Sequence, residues 1–174
     1  SWTADQFDPT LNWEDIAWIK DRWKGKLILK GIMDSEDAML AVKAGADAII
    51  ISNHGGRQLD GAPSTISVLP EIVDAVNSKV EVHFDGGVRS GQDVLKALAL
   101  GADCIHIGRP YVYGLGAKGQ EGVEIAIEII KKELDLTMAM CGETNISNVG
   151  LHNLHNNPFN CLLYTSDAAD DLYR

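Results

Sequence analysis

One unit written twice constrains this chain more than anything else in it. Ala44-Gly45-Ala46-Asp47-Ala48-Ile49 and Leu100-Gly101-Ala102-Asp103-Cys104-Ile105 nearly copy each other. In each, a helical stretch meets a glycine able to take the left-handed conformation that ends a helix, and an apolar strand begins at once. Further apolar runs predict strands over 26–30, 48–52, 80–84 and 104–107. Helical spacing covers 13–23, 35–44, 65–77, 92–100 and 122–134. Ser90 with Asp93 is a capping-box-like helix start that places Gly91 in the first turn. Short strands alternating with amphipathic helices predict a parallel sheet joined by right-handed crossovers.

Four such units make about half of an eight-unit barrel, which takes around 250 residues. The expected fold class is therefore α/β, the carboxyl-terminal half of a TIM (β/α)8 barrel, strands five to eight, with outer helices. A small open sheet is the alternative. Residues 1–149 carry the pattern. From about Gly150 the periodicity stops, and 150–174 read as a disordered or foreign tail.

Charge and cysteine content exclude several functions. The net charge of −10 offers no basic stripe for phosphates, so no nucleic-acid partner is expected. No apolar run approaches the roughly 18 residues of a membrane span. Cys104, Cys141 and Cys161 are too few and scattered for a disulfide framework, which points to a reducing, cytoplasmic setting. Cys104 reads as a small core residue, and His83 and His106 as core or barrel-lining residues. Tyr111 and Tyr113 read as packing at a helix start. His152 and His155 form an H-x-x-H pair without an evident third ligand, so no metal is expected.

Chemistry concentrates at the strand ends, where α/β barrels keep their active sites. Ser52-Asn53-His54-Gly55-Gly56-Arg57-Gln58 follows the apolar run Ala48-Ile49-Ile50-Ile51. Histidine can take a proton near neutral pH, and arginine can grip a carboxylate through two parallel hydrogen bonds. The pair fits an enzyme that deprotonates a small acid held by its carboxylate. Lys30 closes Leu27-Ile28-Leu29 and can aim a positive charge at the barrel mouth. Asp85-Gly86-Gly87-Val88-Arg89 follows the third strand; its glycines let backbone N–H groups approach a phosphate, and a helix dipole lies just beyond. Gly108-Arg109-Pro110, after the fourth, adds another glycine and a guanidinium. Barrels often bind phosphate with the loops of strands seven and eight, which would make these two loops the last pair.

Taken together, Lys30-Gly31, residues 52–58 and 85–89, and Gly108-Arg109-Pro110 resemble the FMN-dependent α-hydroxy-acid oxidases and dehydrogenases. The similarity runs from about 7 to 149. Phe7-Asp8-Pro9, Trp13-Glu14-Asp15 and Arg57-Gln58-Leu59-Asp60-Gly61 are most similar to L-lactate dehydrogenases. The resemblance implies FMN as cofactor, with His54 as the base and Arg57, beside it, as the substrate-carboxylate clamp. It implies Lys30 beside flavin N1 and the C2 carbonyl, and Ser52 in contact with the flavin. Asp85, Gly86, Gly87, Val88 and Arg89 resemble the ribityl and phosphate segment, and Gly108 with Arg109 the phosphate grip.

The expected reaction is oxidation of an L-2-hydroxy acid, L-lactate to pyruvate, with electrons passed to a quinone or cytochrome. An O2-using oxidase of glycolate or lactate is the nearest alternative. A non-catalytic phosphate-binding half-barrel is a second, which the His54/Arg57 pair argues against. The full-length protein is expected to be a homo-oligomer, cytoplasmic or held peripherally on the inner face of the membrane. The family's substrate tyrosine and the aspartate that partners the base lie upstream of this chain. The polypeptide expressed alone is therefore expected to be inactive, with open strand edges and an uncovered interior.

Overall fold

The computed structural model describes Asp8 and residues 10–155. Phe7 and Pro9 lie outside the described residues, as does the expected tail from 156 onward. Among the described residues, nine main elements alternate: α1 (Trp13–Trp23), β1 (Ile28–Ile32), α2 (Ser35–Lys43), β2 (Ala48–Ile51), α3 (Thr65–Val76), β3 (Glu81–Phe84), α4 (Gly91–Ala99), β4 (Cys104–Ile105) and α5 (Arg109–Met140). The strands form one parallel sheet in the order β1-β2-β3-β4. This is the expected run of consecutive βα units, part of a barrel wall.

Local chemistry sets the element boundaries. Asn12 and Asp15 make a capping box at α1, and Ser90 with Asp93 makes the expected one at α4. Gly45 and Gly101 hold φ +83° and +100° where helix gives way to strand, as the repeat predicts. The aspartates of the repeat also share one task. Asp47 Oδ2 accepts from the Leu27 N–H at 2.8 Å, and Asp103 Oδ2 accepts from the Val82 N–H at 2.8 Å. Each start of a strand is thereby tied to the strand before it. The duplicated sequence is a duplicated joint.

Alternating residues divide the sheet into two faces. Ile49, Ile51, Val82 and Phe84 point into the helix layer and form a core with Ile66, Leu69, Ile72 and Leu100. The opposite face carries Lys30, Ile50, His83 and Cys104, which stand in register across the four strands. That face corresponds to a barrel interior. Burying each large apolar side chain of the helix-facing core contributes about 1.5–3 kcal/mol.

Three boundaries differ from expectation. β1 runs on to Ile32, so Lys30 sits within the strand rather than closing it. Its pairing slips between Lys30 and Ile32, where Gly31 holds φ +99°. The last helix begins at Arg109 and is broken at Lys118 and Gly119, so that its segments touch at Gly114 and Gly122. A Cβ on Gly122 would lie 1.8 Å from the Gly114 carbonyl oxygen, an approach only glycines permit. Helical periodicity could not show where such a break falls. Finally, short turns at Ile146–Asn148 and Leu151–Asn153 carry Leu154 back onto the core. Among the described residues, no helix is long and apolar enough to cross a membrane.

Candidate active site

A side chain from within β1 is joined to polar side chains that directly follow β2 and β3. Lys30 Nζ donates to Ser52 Oγ at 2.5 Å and lies 2.7 Å from Asp85 Oδ2. Ser52 is fully buried, and its Oγ also accepts from the His54 N–H at 3.2 Å. One hydroxyl thus holds both the lysine and the start of the histidine loop.

That loop is a tight turn, His54–Gly56, in which three successive residues are left-handed. Gly55 and Gly56 hold φ +67° and +69°, and His54 itself holds φ +59°. A histidine in this region is uncommon and costs on the order of 1–3 kcal/mol, sustained only by surrounding structure. Asn53 supplies part of that support: its Oδ1 accepts from the Gly55 N–H at 3.0 Å. Arg109 supplies more, donating through Nη2 to the Gly55 carbonyl at 3.1 Å. The imidazole leans over Gly31, where a Cβ would lie 3.0 Å from His54 Cε1. His54 and Arg57 are both exposed at the mouth of the sheet.

Beyond β3, Gly86 and Gly87 hold φ +100° and +73°. A Cβ on Gly86 would lie 2.6 Å from Thr65 Oγ1, so this turn is seated on the buried start of α3. The N–H groups of Arg89 and Ser90 bond the Asp93 carboxylate at 2.9 and 3.0 Å, closing the α4 cap. After β4, α5 opens on Gly108 without a side-chain cap.

These loops enclose an open cleft of about 890 Å³. It is lined by Lys30, His54, Arg57, Asp85, Gly86, Gly87, Val88, Arg89, Gly108 and Arg109. Every residue singled out for chemistry lines it except Ser52, which lies behind Lys30. Tyr111 and Tyr113 also face the cleft and are 39% and 74% exposed, so they are lining rather than packing residues. Sequence reasoning gave no role to Asn53 and Thr65, which shape the loops. The Asn-x-Gly spacing at 53–55 was the available signal, since asparagine bonds the backbone two residues on. His106 lies deeper in the cleft; burial lowers its pKa first, then repulsion from His83.

The sequence matches the FMN-dependent dehydrogenase family over residues 1–156. The chain belongs to that family. Among curated relatives, 2-hydroxyacid oxidase 1 of Mus musculus is 50% identical over 157 residues, covering 90% of this chain and 42% of that protein. L-Lactate dehydrogenase of Vibrio cholerae serotype O1 (strain M66-2) is 46% identical over 153 residues, covering 88% and 40%. Among solved structures, the monotopic membrane protein (S)-mandelate dehydrogenase superposes with a TM-score of 0.85 at 40% identity, over 90% of this chain and 41% of that one. A mandelate oxidase with (S)-4-hydroxymandelic acid superposes with a TM-score of 0.81 at 46% identity, over 84% and 41%. The chain thus spans about two fifths of the length of these relatives.

For a member of an FMN-dependent family, the donor set fits the cofactor. A flavin mononucleotide needs a polar cradle for its phosphate, hydroxyl partners for its ribityl chain, and a cation near the ring. The cleft offers two glycine turns and an uncapped helix start for the first. Asp85 would serve the second and Lys30 the third, both lining the cleft.

Proposed function

We propose that the full-length protein oxidises an L-2-hydroxy acid, with L-lactate as substrate and pyruvate as product. The observation that carries this reading is the convergence of Lys30, His54 and Arg57 on one cleft between two phosphate-suited loops. FMN, when bound, supplies the acceptor for the substrate's electron pair. Arg57 binds the carboxylate and so fixes which carbon faces the ring. His54 takes the proton that leaves the substrate, held in position by Ser52, Asn53 and the bare surface of Gly31. A positioned base of this kind contributes roughly 10²–10⁴ in rate. Lys30, paired with Asp85, keeps a positive charge where negative charge develops.

Electrons then pass to a quinone or cytochrome. The 50% identity to a 2-hydroxyacid oxidase favours a second reading, in which O2 is the acceptor. Peripheral attachment at a membrane surface belongs to the first reading and is supported by the monotopic mandelate dehydrogenase neighbour.

Anaerobic mixing of the FMN-loaded full-length protein with L-lactate tests the reading. Bleaching of the flavin absorbance is expected, and it is lost in His54→Gln. Glycolate and mandelate in the same assay rank the substrates, and reoxidation by O2 against a quinone analogue separates the acceptors. No bleaching with any 2-hydroxy acid would remove the proposal.

A further inference from the structure

The interior face of the sheet holds a second cluster that the flavin chemistry does not use. His83 stands opposite Cys104 in the β3–β4 register, and His106 follows Cys104 by two residues, which returns it to the same face. His83 Nδ1 lies 3.1 Å from His106 Nε2, and one ring nitrogen of each histidine and Cys104 Sγ all lie within 4.8 Å of one another. His83 is buried, and the other two are half-buried. Glu81 Oε2 sits 3.2 Å from His83 Nε2. A carboxylate there accepts the Nε2–H and leaves the Nδ1 lone pair facing His106.

We propose that His83 Nδ1, His106 Nε2 and Cys104 Sγ form a binding site for one divalent transition-metal ion, of which Zn²⁺ is the representative, with Glu81 orienting His83. The geometry requires little movement. Tetrahedral zinc with its usual bond lengths separates two imidazole nitrogens by about 3.3 Å, and a nitrogen from a thiolate sulfur by about 3.6 Å. The nitrogens already stand near that spacing, and a side-chain rotation brings the sulfur in. Two imidazoles and a thiolate select zinc-like ions over magnesium or calcium, which take oxygen ligands. The carboxylate behind a ligating histidine is the arrangement that fixes its tautomer and strengthens it as a ligand. Three protein ligands leave a fourth position, and His106 borders the cleft, so that position is reachable by water. The site shares His106 with the wall of the cleft, but its occupancy is read without turnover and so independently of the proposed oxidation.

Zn²⁺ binding to the chelator-treated, full-length, FMN-loaded protein is measured by equilibrium dialysis with elemental analysis, followed by X-ray absorption at the zinc edge. One equivalent is expected, with two nitrogens and one sulfur in the inner shell. His83→Phe and Cys104→Ser should each abolish that equivalent, with circular dichroism reporting whether the fold persists. Glu81→Gln, at an exposed position, should weaken binding roughly 10-fold without disturbing the fold. Absence of a bound equivalent in the wild type overturns the proposal. So does an inner shell without sulfur, or undiminished binding in a folded His83→Phe variant. The absorption spectrum of the wild type decides the matter even if both ligand variants fail to fold.

Discussion

Gly31 and His54 are packed so closely that a methyl group on Gly31 would sit 3.0 Å from His54 Cε1. Gly31 also holds φ +99°, which an alanine adopts only under strain. Gly31→Ala should therefore shift the imidazole by a few tenths of an ångström or more. Loss of roughly 10²-fold in kcat/KM is expected from such a misplacement. FMN content should stay near that of the wild type, because His54 rather than the glycine turns proposed to hold the phosphate is displaced. Steady-state kinetics with a flavin assay check both.

Arg57 lies on the rim, where a guanidinium can meet a carboxylate along two parallel bonds. Arg57→Lys keeps the charge and loses the fork. KM for the 2-hydroxy acid should rise roughly 10–100-fold, matching one charged hydrogen bond of about 1.5–3 kcal/mol. An unchanged KM would remove Arg57 from its assigned role.

Lys30 bridges Ser52 and Asp85 and points a charge into the cleft. On the proposed function, Lys30→Met takes that charge from the place where reduction would make the ring anionic. Stopped-flow reduction should slow by roughly 10²–10³-fold, in line with loss of one electrostatic stabiliser. Asp85 is left without its ammonium partner, so weaker FMN binding should accompany the slower step.

Asp47 is the acid-sensitive joint of the fold. The Lys20 ammonium, the Leu27 N–H and the Lys26 ammonium hold its carboxyl well below the usual carboxylate range. Because the folded value is depressed, the stabilisation is complete above the unfolded value near 4 and disappears as pH falls through the folded one. Melting temperatures of the full-length protein should fall progressively as pH drops below about 5. In Asp47→Asn that part of the slope should be absent.

Gly91 lets α4 meet α5 at backbone distance. A Cβ there would lie 2.0 Å from the Leu134 nitrogen, and the Gly91 N–H donates to Glu133 Oε2 at 2.9 Å. Gly91→Ala should destabilise the protein by about 1–3 kcal/mol, as overpacking does, visible as a lower denaturation midpoint. Kinetic constants of the surviving folded fraction should be little changed, since Gly91 does not line the cleft.

The βα alternation, the joints at Gly45 and Gly101, and the loops bearing His54, Asp85 and Gly108 could all be read from the chain. They depend on local causes: apolar period, helix caps and glycine conformations, each fixed within a few residues. The placement of Lys30 inside β1, the break at Lys118 and Gly119, and the cleft-facing tyrosines could not. Each depends on what a residue meets across the sheet or between helices, and a period of two or 3.6 carries no such information. The same holds for His83, Cys104 and His106. Residue by residue they read as strand interior; parallel register sets His83 beside Cys104, and the chain's course past β4 brings the second nitrogen, of His106, to the first.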